Sequence, residues 1–187
     1  MRHSQRNALT IGIIAAIVLL LDQTTKAWVR VHIPFGGALY PLPFARSFFR
    51  LTHLTNTGVA FGFLRDSSFL FVIIAAVILL TILLYVRHLP WERPLIQVAA
   101  GLQLGGALGN LFDRVIRGHV TDFLDFYVRW KGKVYHYPPF NVADASIVVG
   151  VALLIVCLWR EEKRLASSAR PIEAPQREER TTWEGMR

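Results

Sequence analysis

Four long apolar stretches constrain this chain more than any other feature of its sequence. They cover residues 8–28, 68–86, 94–112 and 142–159. Each approaches the roughly 20 apolar residues that cross a bilayer as a helix. The 53% hydrophobic content of the 187-residue chain is also too high for an ordinary soluble domain of this size. The pattern predicts an α-helical membrane protein with four transmembrane helices.

Basic residues beside these stretches predict how the chain is oriented. Arg2 and Arg6 precede the first stretch, the connector 87–93 reads RHLPWER, and REEKR at 160–164 follows the last. Because short cytoplasmic flanks carry an excess of Lys and Arg, both termini are expected in the cytoplasm. No small-residue cleavage site follows the first stretch, so it is interpreted as an uncleaved anchor. The net charge of +8 then fits attraction to anionic membrane lipid and requires no nucleic acid.

Two segments are left on the exoplasmic side, 31–66 and 118–140. The first is rich in Pro, Gly and aromatic residues, which favours short strands and turns. In the second, apolar or aromatic residues alternate with polar residues on both sides of Lys131 and Gly132, which predicts a β-hairpin. Together they predict a small exoplasmic β-rich cap.

The end of the chain differs from the rest. Residues 161–187 mix charge, Pro and Ser without apolar periodicity, which predicts a disordered cytoplasmic tail. Residues 1–160 are accordingly predicted to form a single four-helix membrane domain. Cys157 is the only cysteine, and its apolar neighbours favour a buried, inert thiol.

Two aspartates lie at the ends of the predicted hairpin segment. If the turn is centred between Lys131 and Gly132, antiparallel pairing puts Asp122 opposite Asn141, with Asp144 one helical turn further on. Two adjacent carboxylates cannot both ionise cheaply, so one retains a proton. That state suits an aspartic hydrolase, in which one carboxylate activates water and the other polarises the carbonyl. Taken alone, Asp144 also has a structural explanation, in the first turn of a helix capped by Asn141.

Further polar residues and glycines occur in and near the first and third stretches. Asp22 and Lys26 are four residues apart, which predicts either a local helical ion pair or a brace for the active-site loops. Glycines recur every fourth residue at Gly101, Gly105 and Gly109, a spacing typical of close helix packing. One helical face then gathers four polar residues: Asn110, Asp113, Arg114 and Arg117. The spacing predicts either a local ion pair between Asp113 and Arg117 or a polar surface that orients the backbone of a substrate.

Four sequence blocks resemble, in order and spacing, the conserved blocks of the lipoprotein signal peptidase (signal peptidase II) family. They are DQTTK (22–26), NTGVAFG (56–62), GGALGNLFDRVIRGHVTDF (105–123) and FNVADASI (140–147). The resemblance extends over residues 8–160.

The resemblance implies an intramembrane aspartic endopeptidase of the bacterial cytoplasmic membrane, with its active site near the exoplasmic face. Such an enzyme cleaves prolipoproteins just before a cysteine that carries diacylglycerol, and it uses no metal or other cofactor. By motif, Asp122 and Asp144 match the catalytic pair. Supporting or substrate-contacting positions match Asp22, Lys26, Asn56, Gly106, Asn110, Arg114 and Asn141. We expect a monomer whose partners are prolipoproteins and membrane lipid.

Two other functions are compatible with carboxylates and glycines in membrane helices. A small proton-coupled transporter or channel also places Asp residues in its spans. A non-catalytic assembly factor would use the glycines to bind partner helices. Cleavage of a diacylglyceryl-modified precursor distinguishes a peptidase from both.

Overall fold

The computed structural model describes residues 2–57, 91 and 93–168. Within these residues, three helices are long and apolar enough to cross a membrane: Gln5–His32, Pro94–Arg117 and Val142–Arg164. They match three of the four predicted spans. The remaining predicted span, 68–86, lies outside the described residues, as does most of the NTGVAFG block.

The described chain alternates between long helices and short strands. In chain order its elements are α1 (Arg2–His32), β1 (Ala38–Leu39), a 3-10 turn (Pro43–Ala45), β2 (Phe49–Asn56), α2 (Pro94–Arg117), β3 (Val120–Trp130), β4 (Lys133–His136) and α3 (Val142–Ser168).

Local sequence explains where α1 and α2 end. Helix α1 stops just before Ile33 and Pro34, because a proline disfavours helical geometry in the residue before it. Helix α2 begins on Pro94, whose missing N–H costs nothing in a first turn. It ends at Gly118, which has a φ of 75° and donates its N–H to the Arg114 carbonyl at 3.0 Å.

Glycines bring α2 into close contact with both other described helices. A Cβ on Gly101 would lie 2.6 Å from Ile14 Cβ, and one on Gly105 would lie 2.6 Å from the Ala15 carbonyl oxygen. Both clashes are with α1. On another side of α2, a Cβ on Gly106 would collide with the Ala143 carbonyl oxygen of α3. The packing interpretation of the glycines is therefore confirmed.

The strands form one antiparallel sheet in the order β1-β2-β3-β4. The predicted hairpin is confirmed, since Trp130 pairs with Lys133 around a Lys131–Gly132 turn. A buried cluster of Val29, Ile33 and Phe123 attaches the sheet to the end of α1. This contact places β3 beside the ends of the membrane helices.

Helix α3 is longer than the sequence pattern predicted. Residues 161–168, expected at the start of a disordered tail, form its last two turns. The segment EEKRLASS is rich in helix-forming residues, and the next proline is Pro171, so nothing in it stops the helix. Cys157 is buried in this helix beside Ile96 and Ala99, as expected.

Candidate active site

Asp122 lies near the start of β3 and is only 4% exposed. Its two carboxylate oxygens each accept a hydrogen bond from a side-chain amide. Asn56 of β2 donates from Nδ2 to Oδ2 at 3.0 Å, and Asn141 donates from Nδ2 to Oδ1 at 2.7 Å. A buried carboxylate held in this way is fixed in orientation.

Asp144 lies in the first turn of α3 and is held by two groups. Asn110 Nδ2 of α2 donates to its Oδ1 at 2.7 Å, and the Asn141 N–H donates to its Oδ2 at 3.2 Å. In return, the Asp144 N–H donates to Asn141 Oδ1 at 2.9 Å. This reciprocal arrangement is a capping box, so the structural explanation of Asp144 holds. It does not conflict with a chemical role, since the cap also fixes the carboxylate.

Asn141 contacts both aspartates and so brings the two carboxylates into one site. The hairpin register predicted this contact, although the pairing shifts by one residue beyond β4. Phe140 pairs with Leu124, and its N–H and carbonyl bond to that residue at 3.1 and 2.8 Å. The predicted proximity of Asp122 and Asn141 is confirmed.

The environment of Asp122 favours its protonated form. Burial raises the pKa of Asp122 to about 7, and the nearby charge of Asp144 acts in the same direction. Hydrogen bonds from Asn56 and Asn141 oppose this shift of the pKa but do not cancel it. Near neutral pH the two carboxylates can therefore hold one proton between them.

Lys26 links the first helix to this pair of carboxylates. Its ammonium group is fully buried and lies 2.8 Å from Asp22 Oδ2 and 3.0 Å from Asp113 Oδ2. It also donates to Asn110 Oδ1 at 3.0 Å. Because that oxygen faces Lys26, the Asn110 amide nitrogen is directed toward Asp144. Lys26 therefore determines which end of the Asn110 side chain meets the carboxylate.

The predicted Asp22–Lys26 ion pair is present, but Asp22 also joins two helices. Its Oδ1 accepts the Ala143 N–H of α3 at 2.9 Å. Gly109 of α2 allows this approach, since a Cβ there would lie 2.6 Å from Asp22 Oδ2. Asp22 thus connects the interior of α1 with the helix start that carries Asp144.

The predicted Asp113–Arg117 ion pair is also present, at 2.9 Å. Asp113 also contacts Lys26 and accepts the Thr121 N–H at 3.4 Å, and the sequence indicated neither contact. Gln23 was also missed. Its Nε2 lies 3.1 Å from Asp22 Oδ2 and 3.4 Å from Asp113 Oδ1. The sequence signal that could have identified Gln23 was its position next to Asp22 in the DQTTK block.

The structure therefore brings most of the predicted site residues together. Asp22, Lys26, Asn56, Asn110 and Asn141 contact one of the two carboxylates or contact each other. Two predicted residues lie outside this network. Gly106 acts through the close approach of α3, and Arg114 is exposed at the end of α2, where its Nη1 donates to the Asn110 carbonyl at 3.3 Å.

Comparison with known proteins identifies the family of the chain. A family model described as signal peptidase (SPase) II matches residues 14–160. The chain belongs to the signal peptidase II family. It is therefore a protease, and the resemblance carried by the four sequence blocks is confirmed.

Relatives and solved structures agree with membership in the signal peptidase II family. A lipoprotein signal peptidase of Geobacter sulfurreducens is 46% identical in an alignment 152 positions long, which covers 79% of this chain and 90% of that protein. A lipoprotein signal peptidase of Symbiobacterium thermophilum is 40% identical over 152 residues, and the match covers 81% of this chain and 95% of that protein. A solved bacterial membrane enzyme superposes with a TM-score of 0.62 at 33% identity, covering 88% of this chain and 94% of that one. None of these comparisons supports a transporter.

Proposed function

We propose that Asp122 and Asp144 are the catalytic pair of an aspartic endopeptidase that cleaves prolipoproteins just before their diacylglyceryl-modified cysteine. The observation that carries the proposal is the double contact of Asn141, which donates to Asp122 at 2.7 Å and caps the helix at Asp144. Family membership supports the reaction, and the raised pKa of Asp122 supports the shared proton.

The chemistry requires one ionised and one protonated carboxylate. The ionised group takes a proton from water, whose oxygen attacks the scissile carbonyl carbon. The protonated group donates its proton to the carbonyl oxygen, which gives a neutral tetrahedral intermediate. Breakdown of this intermediate transfers a proton to the leaving nitrogen, cleaves the C–N bond and restores the singly protonated pair.

Three side-chain amides keep the two carboxylates in this geometry. Asn56 and Asn141 hold Asp122, while Asn110 holds Asp144. Because Asn110 is committed to Asp144, we assign the contact with substrate backbone carbonyls to the exposed Arg114. Its guanidinium offers several donors in a rigid plane.

We further propose that the chain crosses the bacterial cytoplasmic membrane as a monomeric domain of residues 1–160, with both termini in the cytoplasm. Three apolar helices and the basic residues of their flanks support this orientation. The sheet, the end of α2 and the start of α3 then lie near the exoplasmic face. A lipid-modified precursor reaches this site from the bilayer, and its acyl chains remain in the lipid.

Cleavage by the purified full-length protein in lipid tests the proposed function. We expect a diacylglyceryl-modified precursor peptide to be cut at the bond before the modified cysteine, as mapped by mass spectrometry of both products. The same peptide without the lipid is the control and should be cut far more slowly. We expect EDTA to leave the rate unchanged, because the described residues contain no group of three or more potential metal ligands. Loss of activity in EDTA with recovery on adding zinc would contradict the mechanism.

A further inference from the structure

One face of the β3–β4 hairpin is aromatic and exposed. The register pairs Val128 with Tyr135 and Trp130 with Lys133, so these side chains share a face. Phe126 and Tyr137 continue that face toward the base of the hairpin, where the Tyr137 N–H donates to the Phe126 carbonyl at 2.8 Å. The exposed fractions are 57% for Val128, 63% for Trp130 and 52% for Tyr135. Contiguous apolar surface of this kind marks an interaction site.

The opposite face of the hairpin attaches it to the rest of the protein. Tyr127 is 6% exposed and donates its hydroxyl to the Arg46 carbonyl at 2.5 Å. Asp125 is buried between Arg50 Nε at 2.6 Å and His136 Nδ1 at 2.9 Å. These contacts fix the orientation of the hairpin, so its aromatic face is held outward.

The tip of the hairpin is strongly basic. Residues 126–140 contain no Asp or Glu, while Arg129, Lys131 and Lys133 surround the turn. Lys131 has a φ of 48°, a left-handed conformation that a two-residue turn normally reserves for Asn, Asp or Gly. The lysine is therefore not the residue that local turn geometry favours. Its ammonium group at the outermost point of the hairpin suits an anionic partner.

The aromatic face also connects directly to a membrane helix. The Phe126 ring stacks on Phe140 with centroids 5.9 Å apart, and Tyr137 packs edge-on against the same ring at 5.9 Å. Phe140 immediately precedes Asn141, the cap of α3, and the apolar span begins at Val142. In the proposed orientation, the face therefore starts at the level where α3 enters the bilayer. Tyr and Trp are enriched at that level in membrane proteins.

We propose that this hairpin face docks on the surface of the membrane and binds anionic phospholipid headgroups through Lys131 and Lys133. The aromatic rings enter the headgroup boundary, and the two ammonium groups contact lipid phosphates. Docking fixes the position of β3, and hence of Asp122, relative to the lipid from which a precursor arrives. The proposal rests on the orientation given under the proposed function, but the binding of lipid itself does not require peptide cleavage.

A fluorescent label on either face of the hairpin tests the proposal. Cys157→Ala removes the native thiol, and Val128→Cys or Val134→Cys then carries an environment-sensitive label. Val134 is the matched control, because it is 49% exposed and pairs with Arg129 on the opposite face. The full chain is placed in nanodiscs of phosphatidylcholine alone or with added phosphatidylglycerol. Quenching by aqueous iodide reports how accessible each label is.

We expect the label at position 128 to be shielded from iodide in discs with phosphatidylglycerol and the label at 134 to stay accessible. Lys131→Asn keeps a residue suited to the turn but removes the charge, and should weaken the lipid-dependent shielding about fivefold. Equal quenching at 128 and 134 in these discs would overturn the proposal. So would shielding that appears only with precursor peptide, which would indicate a substrate surface, or only with several protein copies per disc, which would indicate self-association.

Discussion

Replacing either Asp122 or Asp144 with Asn is expected to reduce cleavage of a lipid-modified precursor by at least about a thousandfold. An amide cannot take a proton from water, and it cannot donate an acidic proton to the scissile carbonyl. Each carboxylate performs one of these steps in the proposed mechanism, so the loss of either one stops turnover. Single-turnover cleavage rates of the purified variants in lipid measure the effect.

Asp125→Asn is the matched control for the variants of the catalytic pair. Asp125 lies on the same strand as Asp122 and is 1% exposed, but its partners are Arg50 and His136. We expect this variant to lose some thermal stability and to keep measurable activity. Near-normal turnover by Asp122→Asn or Asp144→Asn, in protein that inserts correctly, would refute the assignment of the pair.

Lys26→Met is expected to lower both stability and activity. The change leaves Asp22 and Asp113 fully buried without their shared cation, and breaking a buried ion pair typically costs about 3–5 kcal/mol. Asn110 also loses the contact that directs its amide nitrogen toward Asp144. We expect a clearly lower Tm in detergent and a reduced kcat. Lys163→Met, at an exposed position of α3, is the control and should change neither quantity.

A double variant separates the two effects of Lys26. Adding Asp22→Asn to Lys26→Met removes the buried carboxylate that loses its cation, whereas Asp113 keeps its ion pair with Arg117, so part of the lost stability should return. The orientation of Asn110 is not restored, so the kcat should remain low. Full recovery of the kcat together with the Tm would show that Lys26 acts on stability alone.

Local sequence signals predicted the hairpin and its main consequence for the site. A turn at Lys131 and Gly132, with apolar and polar residues alternating on both sides, determines the hairpin register. That register predicted that Asn141 lies beside Asp122, as it does. The one-residue shift at the Leu124–Phe140 bridge was not predictable, because it arises where the chain leaves β4 and enters α3. The contact tolerates this shift because the Asn141 side chain reaches the carboxylate.

The sequence pattern did not predict which side chains make contacts between different helices. The Asp22–Lys26 and Asp113–Arg117 pairs are local, and helical spacing predicted both. The salt bridge from Lys26 to Asp113 joins α1 to α2, and no spacing rule relates positions so far apart. The glycine spacing likewise predicted close packing, but it did not show that Gly109 makes room for Asp22.

The pH dependence of kcat/KM tests most directly the central claim that the two carboxylates work with one shared proton. Because the pKa of Asp122 is raised to about 7, the pair loses this proton as the pH rises through neutrality. The wild-type kcat/KM for the lipid-modified precursor should therefore fall above about pH 7, where no carboxylic acid remains to protonate the carbonyl. It should also fall at acidic pH, where both carboxylates are protonated and none can activate water. A kcat/KM that rises steadily into the alkaline range, or that does not change between acid and alkali, would contradict the account.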